Sequence, residues 1–209
     1  MRLVAGLFGH YCGGCAIALP VGRDRLWCPA CQVSVLPCTT LRSTDGGLPV
    51  VALWLFTGPV ATWISRSKAG ERAPALAPVQ LQWQACAARV VLRDVARVVP
   101  VPPQLDRLRA RGWHLPDLLA DELGWPIDRQ LVRRDTAAPR REQRGAVPTF
   151  AFRGQIQRPV VLVDDVITTG ATLDTAAAVL RAAGVTVLGA ACLADARPES
   201  IALAAAQLD

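Results

Sequence analysis

Residues 160–172 read VVLVDDVITTGAT, and the fold follows from them. Val160, Val161, Leu162 and Val163 form a short apolar, β-branched run of the kind that fills a strand buried on both faces. Asp164 and Asp165 follow as two adjacent carboxylates that close the strand. Thr168, Thr169 and Gly170, with Ala171 and Thr172, then open a segment, LDTAAAVLRAAG, with helical periodicity. In open α/β sheets, ligands sit beyond the carboxyl ends of strands, where the loop turns into a helix. There the unpaired N–H groups and positive dipole end of the helix favour a phosphate. Gly170 lets the backbone wrap closely around it, and the threonine hydroxyls add donors. The carboxylates cannot bind that phosphate. They suit vicinal sugar hydroxyls, or a positively charged sugar carbon in a transition state. The plain alternative is a strand ending in two solvated aspartates before an ordinary capped helix. Neither G-x-x-x-x-G-K-S/T nor G-x-G-x-x-G occurs in the chain.

Outward from this stretch, strand and helix patterns alternate. Residues 48–56 read as strand, 59–69 as helix, 73–88 as a second helix and 95–101 as a strand ending among prolines. Residues 115–123 read as helix, 130–133 as a short strand and 134–148 as a polar loop. A strand at 185–194 and a helix from Pro198 follow the central motif. Such alternation implies an α/β domain with a mostly parallel sheet covered on both faces. No internal repeat is visible. The six tryptophans read as scattered, without an aromatic platform for stacking bases.

At 209 residues the chain holds one ordinary domain plus a small appendage, and an apolar content of 52% is ample for a core. Twenty-two arginines stand against one lysine, Lys68, and there is no asparagine, a pattern that looks like a GC-rich genome rather than chemistry. A net charge of +6 and a pI near 9.3 favour polyanionic ligands, nucleic acid or a phosphate-rich small molecule alike. The apolar run at residues 3–8 is too short for a signal-peptide core. The apolar window at 48–64 is interrupted by Thr57-Gly58-Pro59 and falls short of the roughly 20 residues a membrane span requires. A cytoplasmic protein without membrane insertion is expected.

Five of the seven cysteines fall within the first 38 residues. Cys12 and Cys15 are spaced C-x-x-C, as are Cys28 and Cys31, with twelve residues between the pairs. Two such pairs offer four thiolates that can converge on one tetrahedral Zn²⁺. Gly13, Gly14, Pro29 and Ala30 keep the turns small, so that backbone N–H groups can approach the sulfurs. A segment of about 45 residues needs a metal or disulfides to fold by itself, and a cytoplasmic setting argues against disulfides. Redox-active pairs and a metal-free knuckle are the alternatives. Cys38 reads as an ordinary buried thiol or a spare ligand, and Cys86 and Cys192 as core residues; His10 could compete as a ligand, but four cysteines already close the site. The turn-rich stretch at residues 36–47 is the natural seam after this module.

Residues 160–172 resemble the motif with which type I phosphoribosyltransferases bind 5-phosphoribosyl 1-pyrophosphate (PRPP): four apolar residues, two acidic residues, an apolar link and T-T/S-G-x-T. The order of the remaining pieces is similar to that of the ComF family. These are the four-cysteine module, FTGPVATWISRSK (residues 56–68), VVPVPP (98–103), RARGWH (109–114) and the PRPP motif, together nearly the whole chain. The resemblance implies a zinc-ribbon-like module at 1–46 and a type I phosphoribosyltransferase domain at 47–209. It also implies a link to DNA uptake in competent bacteria. Two departures stand out. The family's usual R-G-F/Y-N is here Arg111-Gly112-Trp113-His114, and the stretch RRDTAAPRREQRGAVPTF (133–150) appears shortened and lacks the usual asparagine. Both fall where the family closes over the pyrophosphate or shapes the acceptor pocket.

By this resemblance the ligand is PRPP or ribose 5-phosphate, with Mg²⁺. Asp164 and Asp165 hold the ribose hydroxyls as the catalytic pair, directly or through Mg²⁺-bound water, and Thr168, Thr169, Gly170, Ala171 and Thr172 hold the 5′-phosphate. Lys68, Arg107 and Arg111 are the cations expected beside the pyrophosphate. For the arginines a solvated surface charge is the bland alternative, and for Lys68 a helix-end lysine balancing the dipole. The groups Arg133-Arg134 and Arg140-Arg141-Arg144 suit a flexible lid or a polyanion patch, and His114 reads as a polar helix-start residue. Three functions compete: PRPP-dependent transfer, a PRPP- or nucleotide-sensing accessory protein of DNA uptake or repair, and a zinc-dependent nucleic-acid binder with a vestigial transferase fold. Single-stranded DNA and DNA-uptake or repair proteins are the expected partners of the accessory reading.

Overall fold

The computed structural model of the chain describes residues 11–20, 25–38, 40–71, 75–91, 97–134 and 147–206. After a single turn, α1 (Pro29–Gln32), the chain enters β1 (Arg42–Ser43), β2 (Pro49–Leu55) and α2 (Gly58–Ala69). Then come α3 (Gln80–Ala88), β3 (Arg97–Pro100), α4 (Leu105–Arg111), α5 (Leu115–Leu123), β4 (Leu131–Arg134) and β5 (Thr149–Phe152). Last are β6 (Val160–Ile167), α6 (Ala171–Ala182), β7 (Val187–Asp195) and α7 (Pro198–Ala205). The sheet runs β1-β2-β7-β6-β3, parallel throughout except for β1, while β4 and β5 pair as a separate antiparallel ribbon.

The β-branched run of β6 is completely buried because it is central and covered on both sides. Alternation along it sends Val161 and Val163 to the face covered by α2, α3 and α5, and Val160 and Leu162 to the face covered by α6. On the first face the buried Trp83 indole donates to the Leu119 carbonyl at 2.8 Å, locking α3 to α5. Adjacent strands β3 and β6 thus send their chains to opposite faces, to α4–α5 and to α6. This is the topological switch that opens a crevice at the carboxyl ends of the strands.

Several local expectations are corrected. β6 does not end at the aspartates but continues to Ile167, because Val166 and Ile167 keep pairing with β7. The helix after it begins at Ala171, two residues before the periodic segment. The helix expected at 73–88 starts with a 3-10 turn, Ala77–Val79, where Pro78 sits in the first turn, and becomes α-helical only at Gln80. Residues 105–111 form a helix that the proline-rich approach concealed, and 149–152, just after the loop read at 134–148, form a strand where no element was expected. Residues 1–10, with His10, and 135–146, with Arg140, Arg141 and Arg144, lie outside the described residues, as do 72–74 and 92–96.

The tryptophans are not all scattered. Trp27, Trp54 and Trp63 meet edge to face with centroids 5.7, 5.8 and 6.2 Å apart. They join the cysteine segment, β2 and α2 in one continuous core. The glycines of the first C-x-x-C serve this docking. A Cβ on Gly13 would lie 2.9 Å from the Trp63 ring, and one on Gly14 2.8 Å from Pro59.

Candidate functional site

At the crevice, Asp164 and Asp165 occupy the last half of β6, and alternation places Asp165 on the face of α2. There the Lys68 ammonium, in the last turn of α2, pairs with Asp165 Oδ1 at 2.7 Å. The Asp165 N–H donates to Asp164 Oδ1 at 2.8 Å. Burial, and then the adjacent Asp165 charge, push the Asp164 carboxyl up to about 7, while the Asp165 N–H, Lys68 and Arg133 pull it down. Arg133, on β4, therefore belongs to the electrostatic surroundings of the carboxylate pair. The sequence held no signal for this, because the β4–β5 pairing that positions it is non-local.

Arg111 ends α4, where Gly112 caps the helix in the left-handed conformation. Its side chain packs on Gly70, with Cγ 3.6 Å from where a Cβ would stand. Burial and then the Arg107 charge pull its guanidinium below the ordinary arginine range, and Asp165 partly restores it. Lys68 and Arg111, from α2 and α4, thus lie about Asp165 of β6, and the charge of Arg107, one turn before Arg111 on α4, acts on Arg111. Arg107 and Arg111 stand on α4, a helix that the sequence pattern did not announce.

Thr168 and Thr169 are exposed on the loop leading to α6, and Gly170 is the N-cap at φ +85°. Thr169 Oγ1 accepts from the Ala171 N–H at 3.3 Å. The glycine meets two further requirements, the left-handed backbone and the space: a Cβ there would meet Thr44 Cγ2 of a neighbouring turn at 2.6 Å. His114 is the N-cap of α5, but its ring bonds Asp117 at 2.8 Å and does not cap the helix backbone.

At the other end of α2, the four cysteines form a second constellation. The Sγ atoms of Cys12, Cys15, Cys28 and Cys31 lie within 4.8 Å of one another, and those of Cys15 and Cys28 are 3.7 Å apart. Tetrahedral thiolate coordination requires roughly 3.8 Å between sulfurs, so the cluster can hold a metal ion. The Cys28 N–H donates to Cys12 Sγ at 3.3 Å, and the Cys31 N–H to Cys28 Sγ at 3.4 Å. Burial opposes ionisation of Cys12, but N–H groups of Cys28, Cys15 and Gly14 outweigh it and lower this thiol to about 6. Burial and the neighbouring sulfurs push Cys31 up to about 12. Such crowded sulfurs ionise together only beside a cation. Cys38 is buried in the opposite core cluster, away from these ligands.

A mostly parallel sheet covered on both faces, with an acidic pair in β6 and a Thr-Thr-Gly loop at its switch point, is an α/β fold typical of the type I phosphoribosyltransferases. Residues 115–203 match the model of the phosphoribosyl transferase domain. That stretch is therefore similar to a phosphoribosyl transferase domain, and ahead of it the chain has a four-cysteine cluster able to hold a metal. Among solved structures it is similar to orotate phosphoribosyltransferase from Aeropyrum pernix, at 19% identity, 84% coverage of both chains and a TM-score of 0.35. It is also similar to adenine phosphoribosyltransferase from Leishmania donovani, at 17% identity over 65% of this chain and 72% of the other, with a TM-score of 0.39. No curated protein sequence matches it.

Proposed function

We propose that the protein binds PRPP and transfers its phosphoribosyl group in a Mg²⁺-dependent reaction. It would do so on a ComF-type chain, with a zinc-ribbon-like module at residues 1–46 and the transferase domain at 47–209. The observation that carries this reading is the convergence of Lys68 and Arg111 on Asp165, beside the amino-terminal end of α6. One crevice thus offers a phosphate seat, carboxylates for sugar hydroxyls and cations for a second anionic group. Thr168–Thr172 would hold the 5′-phosphate, and Asp164 and Asp165 the ribose hydroxyls and Mg²⁺, whose hard charge matches carboxylate oxygens. Mg²⁺, when bound, supplies neutralisation of the pyrophosphate charge.

In transfer, the bond from C1 to the pyrophosphate oxygen breaks and its electron pair leaves with pyrophosphate. The ring oxygen shares the positive charge left at C1, and an acceptor nitrogen forms the new bond and loses its proton to solvent. The carboxylates lie beside the developing cation while Lys68, Arg107 and Arg111 face the leaving anion. Zinc is the metal that four thiolates at this spacing suit best.

The test is a panel of nucleobases with PRPP and Mg²⁺, read as pyrophosphate release, alongside calorimetry. PRPP should bind. Asp164→Asn with Asp165→Asn should weaken PRPP at least about tenfold more than inorganic phosphate. Absence of PRPP binding overturns the reading. A second reading, binding without turnover in an accessory protein of DNA uptake or repair, is favoured by the departures from the family's pattern at Trp113-His114 and in residues 133–150. It predicts PRPP binding with no acceptor consumed, and single-stranded DNA binding of steep salt dependence. No helix among the described residues is long and apolar enough to cross a membrane; a cytoplasmic location is part of the proposal.

A further inference from the structure

The turn at residues 44–47, far from the phosphate loop in sequence, grips the helix that follows that loop. The Thr44 hydroxyl accepts from the Leu48 N–H at 3.1 Å, which directs its own proton to Asp174 Oδ1. The Gly46 N–H donates to Asp174 Oδ2 at 3.1 Å. Both oxygens of Asp174 are thereby turned into the 44–47 turn. Asp174 lies in the first turn of α6, four residues after Gly170, and helix side chains lean toward the amino-terminal end. The turn is anchored in its turn: Arg197 Nη1 donates to the Ser43 carbonyl at 3.1 Å. Its other nitrogens are fixed on buried Asp195 at 2.7 and 3.0 Å, with Ser200 donating to the same carboxylate at 2.8 Å.

We propose that the 44–47 turn is a strap that presets the phosphate loop, with Thr44 as a positioning residue that holds the Asp174 carboxylate off the anion's seat. An aspartate in the first helical turn is itself attracted to the unpaired N–H groups there. Released from the strap, it competes for those groups and repels a phosphate. Held by Thr44 and Gly46, its charge is met by two donors and it makes no claim on the N–H groups at the helix start. The packing of Thr44 Cγ2 against Gly170 fixes the loop on the same side. The inference rests on the reading of this loop as a phosphosugar site and adds residues from a different segment to it.

The experiment is calorimetry of ribose 5-phosphate with wild type, Thr44→Val, Thr44→Ser, Asp174→Asn and the double variant of Thr44→Val with Asp174→Asn. It is run beside hydrogen exchange at the 168–172 amides without ligand. Thr44→Val should weaken binding about tenfold, the scale of one charge-assisted hydrogen bond. Thr44→Ser should stay within about twofold of wild type, and the double variant should recover most of the loss. Asp174→Asn alone should bind at least as tightly as wild type, and it serves if Thr44→Val does not fold. A Thr44→Val protein that binds like wild type, or a double variant as weak as the single one, overturns the strap. Wild type that ignores ribose 5-phosphate sinks the phosphosugar reading instead. Exchange at 168–172 separates the two: Thr44→Val should speed it, and unchanged exchange counts against the strap whatever the ligand.

Discussion

Asp164 is held protonated in the folded protein at pH values where an unfolded chain ionises it. Its carboxyl is raised from 3.8 to about 7, so the folded state binds the extra proton and stability falls as pH rises across that window. Asp164→Asn should therefore raise the melting temperature at pH 8 and leave it close to wild type below pH 3.8, where both states are neutral. Thermal melts at the two pH values check this, and an equal shift at both would count against it. Ligand binding has the opposite sense. Sugar hydroxyls and Mg²⁺ favour the ionised carboxylate, so PRPP affinity should drop as pH falls below about 7 and flatten in the Asn variant. One residue earlier than Lys68, Ser67 Oγ is buried with no hydrogen-bond partner among the described residues. Ser67→Ala removes this unmet polar atom and should stabilise the protein by about 1 kcal/mol in chemical denaturation, provided nothing else in the helix moves.

At the scale of elements, the cysteine segment is small and brings four sulfurs together. Purified protein should carry about one tightly bound zinc per chain, and Cys28→Ser should abolish it; sub-stoichiometric zinc in freshly reduced protein would refute the assignment. Cys28 is also the N-cap of α1, where its sulfur accepts from the Cys31 N–H, so the substitution removes a ligand and a cap together. The β4–β5 ribbon contributes Arg133 to the carboxylate pair. Arg133→Gln should raise the Asp164 pKa further, visible as a shift of the pH profile of ligand binding to higher pH.

Across the whole molecule, the module and the sheet share one core through Trp27, Trp54 and Trp63. Chelating the metal should therefore lower the melting temperature of a single transition and change tryptophan fluorescence, where an independent module would melt separately in calorimetry. Trp63→Ala, which deletes one of the three rings, should cost about 3–5 kcal/mol. Gly14→Ala should weaken metal binding without touching a ligand, because its Cβ has Pro59 and Cys31 Sγ within 3 Å.

The sequence by itself determined what depends on neighbours along the chain. The apolar run of β6, the acidic pair, the loop and the start of α6 are contiguous, so the motif specified strand, turn and helix together. The two C-x-x-C pairs likewise announced a four-sulfur cluster, because each pair is a local turn. Strand–helix alternation conveyed the parallel sheet, since burial on both faces writes itself as unbroken apolar runs. Tertiary structure decided the rest. The end of β6 lay beyond the aspartates because pairing with β7 continues there, and α4 and β5 hid behind prolines and polar residues whose local preferences packing overrode. The Lys68–Asp165 pair, the packing of Arg111 on Gly70, the tryptophan trio and the Thr44–Asp174 contact all join segments distant in sequence. Composition and periodicity report what one segment prefers; which segments meet is fixed by how the layers close around a shared core.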